Sequence, residues 1–235
     1  MPDQVLLSSR RERGKDGRRA RIVEATCAMM REFDLADLSV KMIADRADVS
    51  PATVYNLFGT KGAILVRVYE RDLEDFEQRV SRARSADALE AIFDAIDIAV
   101  DRYRDDARFY RAALSTRNGG LDQPMVAAAH RPRVEFWRAL AARAIAEGRL
   151  RAEVDAGRLA VLLIQISGGA LGRWVSNLIA VDELHLETSY GVAVVLLAFA
   201  AAAERPRLQA RLTALERALA ELDRRNELGA LQADT

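Results

Sequence analysis

Polar side chains that can bond to both bases and phosphates lie between Thr53 and Lys61. The amide of Asn56 can pair with N6 and N7 of adenine, which is a geometry that reads a base edge. Thr53 can bond a phosphate or contact a thymine methyl group, and Tyr55 offers a flat ring with a hydroxyl. Lys61 follows a helix cap at Thr60, and its charge would attract the same phosphate as the helix start. These residues indicate a nucleic-acid surface; the alternative is that the first three are ordinary exposed helix positions.

Two short helices joined by a tight turn must hold these side chains so that one helix can enter a major groove. Ser50 is suited to cap the second helix, and Pro51 to fill its first position, where the missing N–H costs nothing. Asp48 stands in the turn, which needs a left-handed backbone, and Ala44 is small where the helices meet. The apolar core between the helices is predicted to contain Ile43, Ala47, Val49, Val54 and Leu57.

The segment of residues 20–66 resembles the helix-turn-helix domain of the TetR family of bacterial transcriptional repressors. The stretch that carries the resemblance reads Val-Ser-Pro-Ala-Thr-Val-Tyr-Asn-Leu-Phe-Gly-Thr-Lys. The sequence departs from the family pattern at Asp34 and Asp48, where glycine is usual, and at Gly62, where an acidic residue is common. The resemblance implies that four further residues line the DNA groove, namely Lys41, Pro51, Ala52 and Leu57.

The composition predicts a globular, helical protein. The chain has 235 residues, with 35 basic and 35 acidic side chains, and half of its residues are apolar, which argues against wholesale disorder. It contains only 13 glycines and 5 prolines, so long helices and short loops are expected. Apolar residues recur at helical spacing, and no segment shows the alternation of a strand. We therefore predict an all-α fold of nine or ten helices.

Charge and hydropathy divide the chain into four predicted segments. Residues 1–17 form a flexible basic arm, since the stretch of residues 10–21 carries seven basic and two acidic groups. The arm is expected to stay disordered until it meets DNA, where it follows the backbone or enters the minor groove; the alternative is a solvated tail. Residues 18–66 form the three-helix DNA-binding domain. Residues 67–204 form a larger helical domain for effector binding and dimerisation, and residues 205–235 form a C-terminal helix and tail.

A homodimer is predicted through the helices at about residues 156–180 and 183–203. One short recognition helix makes too few contacts for specificity, and two-fold pairing onto half-sites is the usual solution. The resemblance implies that this helix pair forms a four-helix bundle with its mate; the alternative is a purely internal core. The residues predicted on this face are Gly168, Gly169, Ala170, Gly172, Gly191, Val194, Leu197, Ala198 and Ala201.

A leucine seam marks the C-terminal helix. Its leucines are spaced at four and three residues, the pattern of a coiled-coil face, but over only about two heptads. We expect this helix to dock across the dimer or against the body of its own chain. The seam consists of Leu208, Leu212, Leu215, Leu219 and Leu222.

Aromatic residues in the C-terminal domain predict a cavity for a small, mostly apolar or amphipathic molecule. Polar residues within apolar stretches, above all Gln165 and Asn177, would orient the polar end of this ligand because buried polar groups need partners. The alternatives are ordinary core packing and structural hydrogen bonds. The predicted aromatic lining is Phe93, Tyr103, Phe109, Tyr110, Phe136, Trp137 and Trp174.

Several classes of protein are disfavoured. One cysteine, Cys27, and two histidines leave no disulfide and no metal framework, and no phosphate-binding loop or nucleophile elbow is present. We therefore expect no catalytic residues, no metal and no cofactor. The longest uncharged run, residues 188–203, is shorter than a membrane span needs, and no secretory signal is evident. A cytoplasmic location is expected.

The predicted function is that of a homodimeric repressor. It would bind a palindromic operator in double-stranded DNA and be released by an unidentified small-molecule effector. The alternative is a DNA-binding regulator with no small-molecule effector, acting constitutively or under the control of a partner. An enzyme is the least favoured class.

Overall fold

The computed structural model describes residues 2–115 and 123–233, and it describes side chains for residues 12–114 and 130–228. The described chain forms ten α-helices and one short 3₁₀ turn, Ala202–Glu204, so the all-α prediction is confirmed. An antiparallel bridge joins Leu150 and Ala200. The helices are α1 (Pro2–Met30), α2 (Val40–Arg46), α3 (Pro51–Phe58), α4 (Lys61–Arg82), α5 (Ala88–Asp105), α6 (Ala107–Ser115), α7 (Gln123–Ala146), α8 (Ala156–Val175), α9 (Val181–Phe199) and α10 (Arg205–Ala233).

The helices fall into two compact units. The first comprises Met1–Glu74 and Asp106–His130, and in it α1 packs against α2, α3 and α6. The predicted DNA-binding domain ended at residue 66 and did not include α6. The core of this unit is buried apolar side chains spaced along α1 to α4, which include Ile22, Met30, Ile43, Val54 and Ile64.

The second unit comprises Asp75–Asp105 and Arg131–Thr235. Its central helix is α9, which packs against α5, α8 and α10. The approach of α8 to α9 is close at Gly191, where a Cβ atom would lie 2.5 Å from Cγ2 of Ile166. The largest fully buried side chains of this unit include Leu89, Ile92, Leu163, Trp174, Leu184 and Leu196.

The basic N-terminal segment is part of a helix in the structure. α1 begins at Pro2, so the segment predicted as an arm extends the helix that carries the buried residues. The side chains described from Glu12 to Arg21 are exposed or half-buried, and the first buried one is Ile22. The behaviour of this segment in solution before it meets DNA stays a prediction.

The C-terminal helix docks on the body of its own chain. α10 packs along α9, and Leu208 is buried while the other leucines of the seam are half-buried. Arg207 binds Asp87 and Arg211 binds Glu90 at 2.6 Å, so charges also fix the first turns of α10 beside α5. Docking across a dimer stays a prediction.

α7 runs without interruption through Pro132. The helix ends near Gly148, whose positive φ of 69° is the left-handed conformation expected of a terminating glycine. Within the residues that the structure describes, no helix has both the length and the hydropathy needed to cross a bilayer.

Candidate nucleic-acid interface

Side-chain caps begin both helices of the predicted helix-turn-helix. The hydroxyl oxygen of Ser39 accepts a hydrogen bond from the backbone N–H of Met42 at 3.2 Å and starts α2. Ser50 accepts one from the N–H of Thr53 at 3.2 Å, and Pro51 is the first residue of α3, as predicted. These caps satisfy donors that the first turn of a helix leaves free, so each helix begins at a residue that the sequence defines.

The turn between α2 and α3 depends on Asp48. This residue has a φ of 53°, which confirms the predicted left-handed conformation. The N–H of Val49 then donates to the carbonyl of Ala44 at 3.0 Å and reverses the chain. Ala44 and Val54 are buried where the two helices meet, whereas Val49 and Leu57 of the predicted core are only half-buried.

One face of α3 is open to solvent. Tyr55 exposes 55% of its surface, and Asn56, Pro51 and Ala52 are exposed as well. Thr53 and Leu57 are half-buried, and the hydroxyl of Thr53 lies 2.9 Å from that of Ser50. Lys41 is exposed on α2. Six of the eight predicted contact residues are thus on a single eight-residue helix, with amide, hydroxyl and aromatic groups accessible; their contacts with DNA stay a prediction.

Lys61 is the first residue of α4, as its predicted role requires, but its ammonium is bound within the chain. The Nζ atom donates to the carbonyl of Leu35 at 3.1 Å and to that of Leu38 at 2.8 Å. Thr60 caps the helix by accepting from the N–H of Ala63 at 3.1 Å, as predicted. The sequence could not reveal the carbonyl partners, because they depend on the path of the backbone between α1 and α2.

An ionic junction that no sequence pattern predicted lies at the end of α1. Glu32 accepts two hydrogen bonds from the guanidinium of Arg46, at 2.9 and 2.6 Å. This pairing lowers the pKa of Glu32 and raises that of Arg46, because each charge stabilises the ionised form of the other. Arg46 is in the last turn of α2, so the pair ties α2 to the end of α1.

Residues just after the end of α1 also bind α6 and the residue before it. Arg31 donates to Asp106 at 2.6 Å, and its guanidinium lies 5.3 Å from the ring centre of Phe109. Arg108 donates to the backbone carbonyl of Glu32. No local pattern in the sequence signals these contacts, since the partners are about 75 residues apart.

The aromatic residues predicted to line a cavity are mostly packed on one another. In the first unit, the rings of Phe109 and Tyr110 are 5.0 Å apart, and the Tyr110 hydroxyl donates to Asp72 at 2.9 Å. In the second unit, Tyr103 stacks on the buried Trp174 with ring centres 5.5 Å apart. In the same unit, the ring centres of Phe136 and Trp137 are 5.4 Å apart. The ring centre of Phe93 lies 3.9 Å from the guanidinium of Arg211.

The predicted polar lining is on the surface, which corrects the expectation that these groups are buried. Gln165 is exposed on α8. Asn177 is exposed just after α8 ends, with a φ of 57°, and the next N–H, of Leu178, donates to the carbonyl of Arg173 at 2.9 Å. Asn177 therefore terminates a helix, a role that suits its tolerance of the left-handed conformation. Contact of Gln165 and Asn177 with a ligand stays a prediction.

An open apolar face lies on α8 and α9. Val161 and Val194 expose 40% and 44% of their surfaces, and Gly169 and Gly172 are exposed on α8. Ala170, which was predicted on this face, is instead buried within its own chain, because it lies on the opposite side of α8.

Within the part of the chain that the structure describes, no group of three or more His, Cys, Asp or Glu residues is arranged to hold a metal ion.

Comparison with protein families gives a match for the N-terminal helices. Residues 22–68 match the family described as bacterial regulatory proteins, tetR family. An uncharacterized HTH-type transcriptional regulator of Mycobacterium tuberculosis is 41% identical over 49 residues, which are 21% of this chain and 23% of that protein. The transcriptional repressor KstR of Mycolicibacterium smegmatis is 32% identical over 85 residues, 35% of this chain and 42% of that one. The chain thus covers less than half the length of these relatives.

Solved structures extend the likeness to most of the fold. The repressor FadR of Thermus thermophilus, a TetR-family protein crystallised with lauroyl-CoA, has a TM-score of 0.65 to this chain. The superposition covers 76% of this chain and 93% of FadR, at 19% sequence identity. The two proteins therefore share an all-helical architecture.

Proposed function

Residues 22–68 belong to the tetR family of bacterial regulatory proteins, and from this premise we propose that the chain is a transcriptional regulator that binds DNA through α3. The observation that carries the proposal is the open face of α3, where Tyr55 and Asn56 are exposed on a helix capped at Ser50. We propose contacts from this face through Pro51, Ala52, Thr53, Tyr55, Asn56 and Leu57, and from Lys41 on α2. The chain is a DNA-binding protein of the cytoplasm and not an enzyme.

The second part of the proposal is a homodimer through α8 and α9. Burial of Val161 and Val194, which expose 40% and 44% of their surfaces, would be favourable, and the exposed Gly169 and Gly172 would allow helices to approach closely. Pairing this face across a two-fold axis would present two copies of α3 to two half-sites of a palindromic operator. A protein bound there would block transcription, as a repressor does.

The third part is release by a small, mostly apolar or amphipathic molecule. Its support is fold likeness to a repressor that was crystallised with lauroyl-CoA. The second candidate is a regulator without a small-molecule effector. The packing of the predicted aromatic lining favours this candidate, because Tyr103 is already stacked on Trp174 and the ring of Phe93 faces Arg211.

The main experiment is selection of bound fragments from a random pool of duplex DNA by the full-length protein. We expect a palindromic consensus, because a symmetric pair of α3 helices reads each half-site once. Sedimentation analysis of the selected complex should give two protein chains per duplex. Failure to enrich any sequence at low salt, or a monomer at micromolar concentration, would contradict the proposal.

Asn56→Ala tests base recognition on the selected duplex. We expect a loss of affinity of about 1–3 kcal/mol, with relaxed sequence preference at one position of each half-site. The matched control is Asn226→Ala, the same substitution at an exposed position of α10. Equal affinities for Asn56→Ala and the control would remove Asn56 from the interface.

A further inference from the structure

The ammonium of Lys61 connects the start of α4 to the backbone just before α2. In the sequence, the whole helix-turn-helix lies between these two parts of the first unit. It donates to the carbonyls of Leu35 and Leu38, and the second acceptor is 23 residues away in sequence. Leu38 directly precedes Ser39, the cap of α2, while Lys61 begins α4 three residues after α3 ends. The hydrogen bonds therefore close the segment that contains α2, the turn and α3 into a ring. We name this closure the Lys61 clasp.

The acceptors of the Lys61 clasp are held rigidly. The side chains of Leu35 and Leu38 are buried at 8% and 3% exposure, so the backbone between α1 and α2 is anchored on both sides of the clasp. The Lys61 side chain is half-buried, where a hydrogen bond to a charged donor is stronger than in water. An anchored acceptor and a partly buried donor make a contact that resists motion of α3.

Gly59 explains why the recognition helix needs such a contact. It ends α3 with a φ of 78°, and its N–H donates to the carbonyl of Tyr55 at 2.8 Å. Glycine has the widest conformational freedom of any residue, so the junction between α3 and α4 is a natural hinge. Lys61 lies just beyond this hinge and fixes α4 to the start of α2.

The electrostatic cost of an ammonium at the start of a helix also indicates that the carbonyls of Leu35 and Leu38 hold Lys61 in place. The N-terminus of a helix carries a partial positive charge, which disfavours an ammonium there unless negative groups compensate. The two carbonyl oxygens supply this compensation from within the chain. A phosphate would supply it from outside, and the two possibilities have different consequences for salt dependence.

We propose that Lys61 is a positioning residue for DNA recognition, which fixes the angle of α3 through the carbonyls of Leu35 and Leu38. The proposal rests on the proposed function, since it assumes that α3 reads DNA. It revises the sequence-based expectation that the charge of Lys61 acts mainly on a phosphate. A positioning residue affects sequence discrimination, whereas a phosphate contact affects binding to every duplex alike.

The test compares Lys61→Met with wild type on the selected operator and on a random-sequence duplex. We expect the operator affinity to fall about tenfold, the random-duplex affinity to change less than about twofold, and the salt slope to stay at its wild-type value. Equal weakening on both duplexes, with a salt slope smaller by about one, would overturn the proposal in favour of a phosphate contact. Arg217→Met, at an exposed arginine of α10 outside the proposed DNA contacts, is the control for loss of a surface cation.

Hydrogen exchange tests the Lys61 clasp without DNA. We expect the amides of residues 40–44 to exchange about tenfold faster in Lys61→Met than in wild type, while those of α9 are unchanged. Unchanged exchange in α2 would overturn the proposal. If wild type selects no duplex, the proposed function fails, and the exchange result still decides whether the clasp exists. Should Lys61→Met lose its helical circular dichroism, Lys61→Gln replaces it in both measurements with the same expected results.

Discussion

Asp87 accepts two hydrogen bonds from the guanidinium of Arg207, at 2.6 and 3.0 Å, and so joins the residue before α5 to the first turn of α10. The same carboxylate accepts from the N–H groups of Leu89 and Glu90, which caps α5. These bonds hold the pKa of Asp87 well below its usual range, above all through Arg207. Asp87 is buried, so its negative charge needs a partner, and Arg207 supplies it. The two residues are 120 positions apart, and their pairing links two helices.

Asp87→Asn should destabilise the fold by about 2 kcal/mol at pH 7, because it keeps a capping group but removes the charge that binds Arg207. The folded-state pKa of Asp87 lies below the unfolded value of about 3.9, so the stabilisation is complete above that pH and is lost as the pH falls further. Urea unfolding at pH 7 and pH 3 measures this. The difference between wild type and variant should narrow at pH 3.

Asp223→Asn is the matched control for Asp87→Asn, since Asp223 is exposed on α10. It should change the free energy of unfolding by less than about 0.5 kcal/mol. A difference between wild type and Asp87→Asn that is the same at both pH values would show that the charge of Asp87 is not what stabilises α10.

Asp48→Gly should raise the stability of the first unit by about 0.5 kcal/mol, since glycine adopts a φ of 53° without the strain of a side chain. Asp48→Ala should lower it by about 1 kcal/mol, because alanine tolerates this conformation poorly. Thermal unfolding followed by circular dichroism compares the two variants. Shifts of the same sign and size would mean that the backbone at Asp48 is not left-handed in solution.

Gly191→Ala should destabilise the second unit by about 1–3 kcal/mol, because its Cβ would lie 2.5 Å from Cγ2 of Ile166. The additional variant Ile166→Ala removes that methyl group, so the double variant should lose less stability than the sum of the two single variants. Gly17→Ala, in helix α1, is the control for a helical glycine outside the proposed dimer face, since a Cβ there meets no atom of the chain within 4 Å. Strict additivity in the Gly191 and Ile166 double variant would contradict the close approach.

Deletion of residues 1–17 should weaken DNA binding at every sequence and reduce its salt slope, because basic side chains that meet phosphates are lost. The described side chains from Glu12 to Gly17 are not buried, so the deletion should leave the melting temperature almost unchanged. A full-length variant with Arg10, Arg11, Arg13 and Lys15 changed to Gln separates the effect of charge from that of length. An unaltered salt slope after the deletion would identify the segment as a solvated tail.

Local features of the fold were predictable because they depend on residues three or four positions apart. The caps at Ser50 and Thr60 and the left-handed Asp48 are of this kind. Contacts that depend on where a distant backbone passes were not predictable, and the Lys61 clasp is the main example.

The side of a helix that faces the core was also ambiguous in α8. Its sequence is apolar nearly all round, so polarity did not show that Gln165 is exposed or that Ala170 is buried. Trp174 is buried, and its stacking partner Tyr103 lies on another helix, which the sequence of α8 alone does not indicate. A helix that is apolar nearly all round cannot be oriented from one sequence.

The junction of Arg31 and Glu32 with α6 has a practical consequence for protein engineering. A hybrid regulator that takes only the first 66 residues of this chain would separate Arg31 from Asp106 and the Glu32 carbonyl from Arg108. The transplanted helices would then meet a foreign surface at the end of α1. A working graft should carry α6 with them, because the unit that holds the proposed DNA-binding helix is discontinuous in sequence.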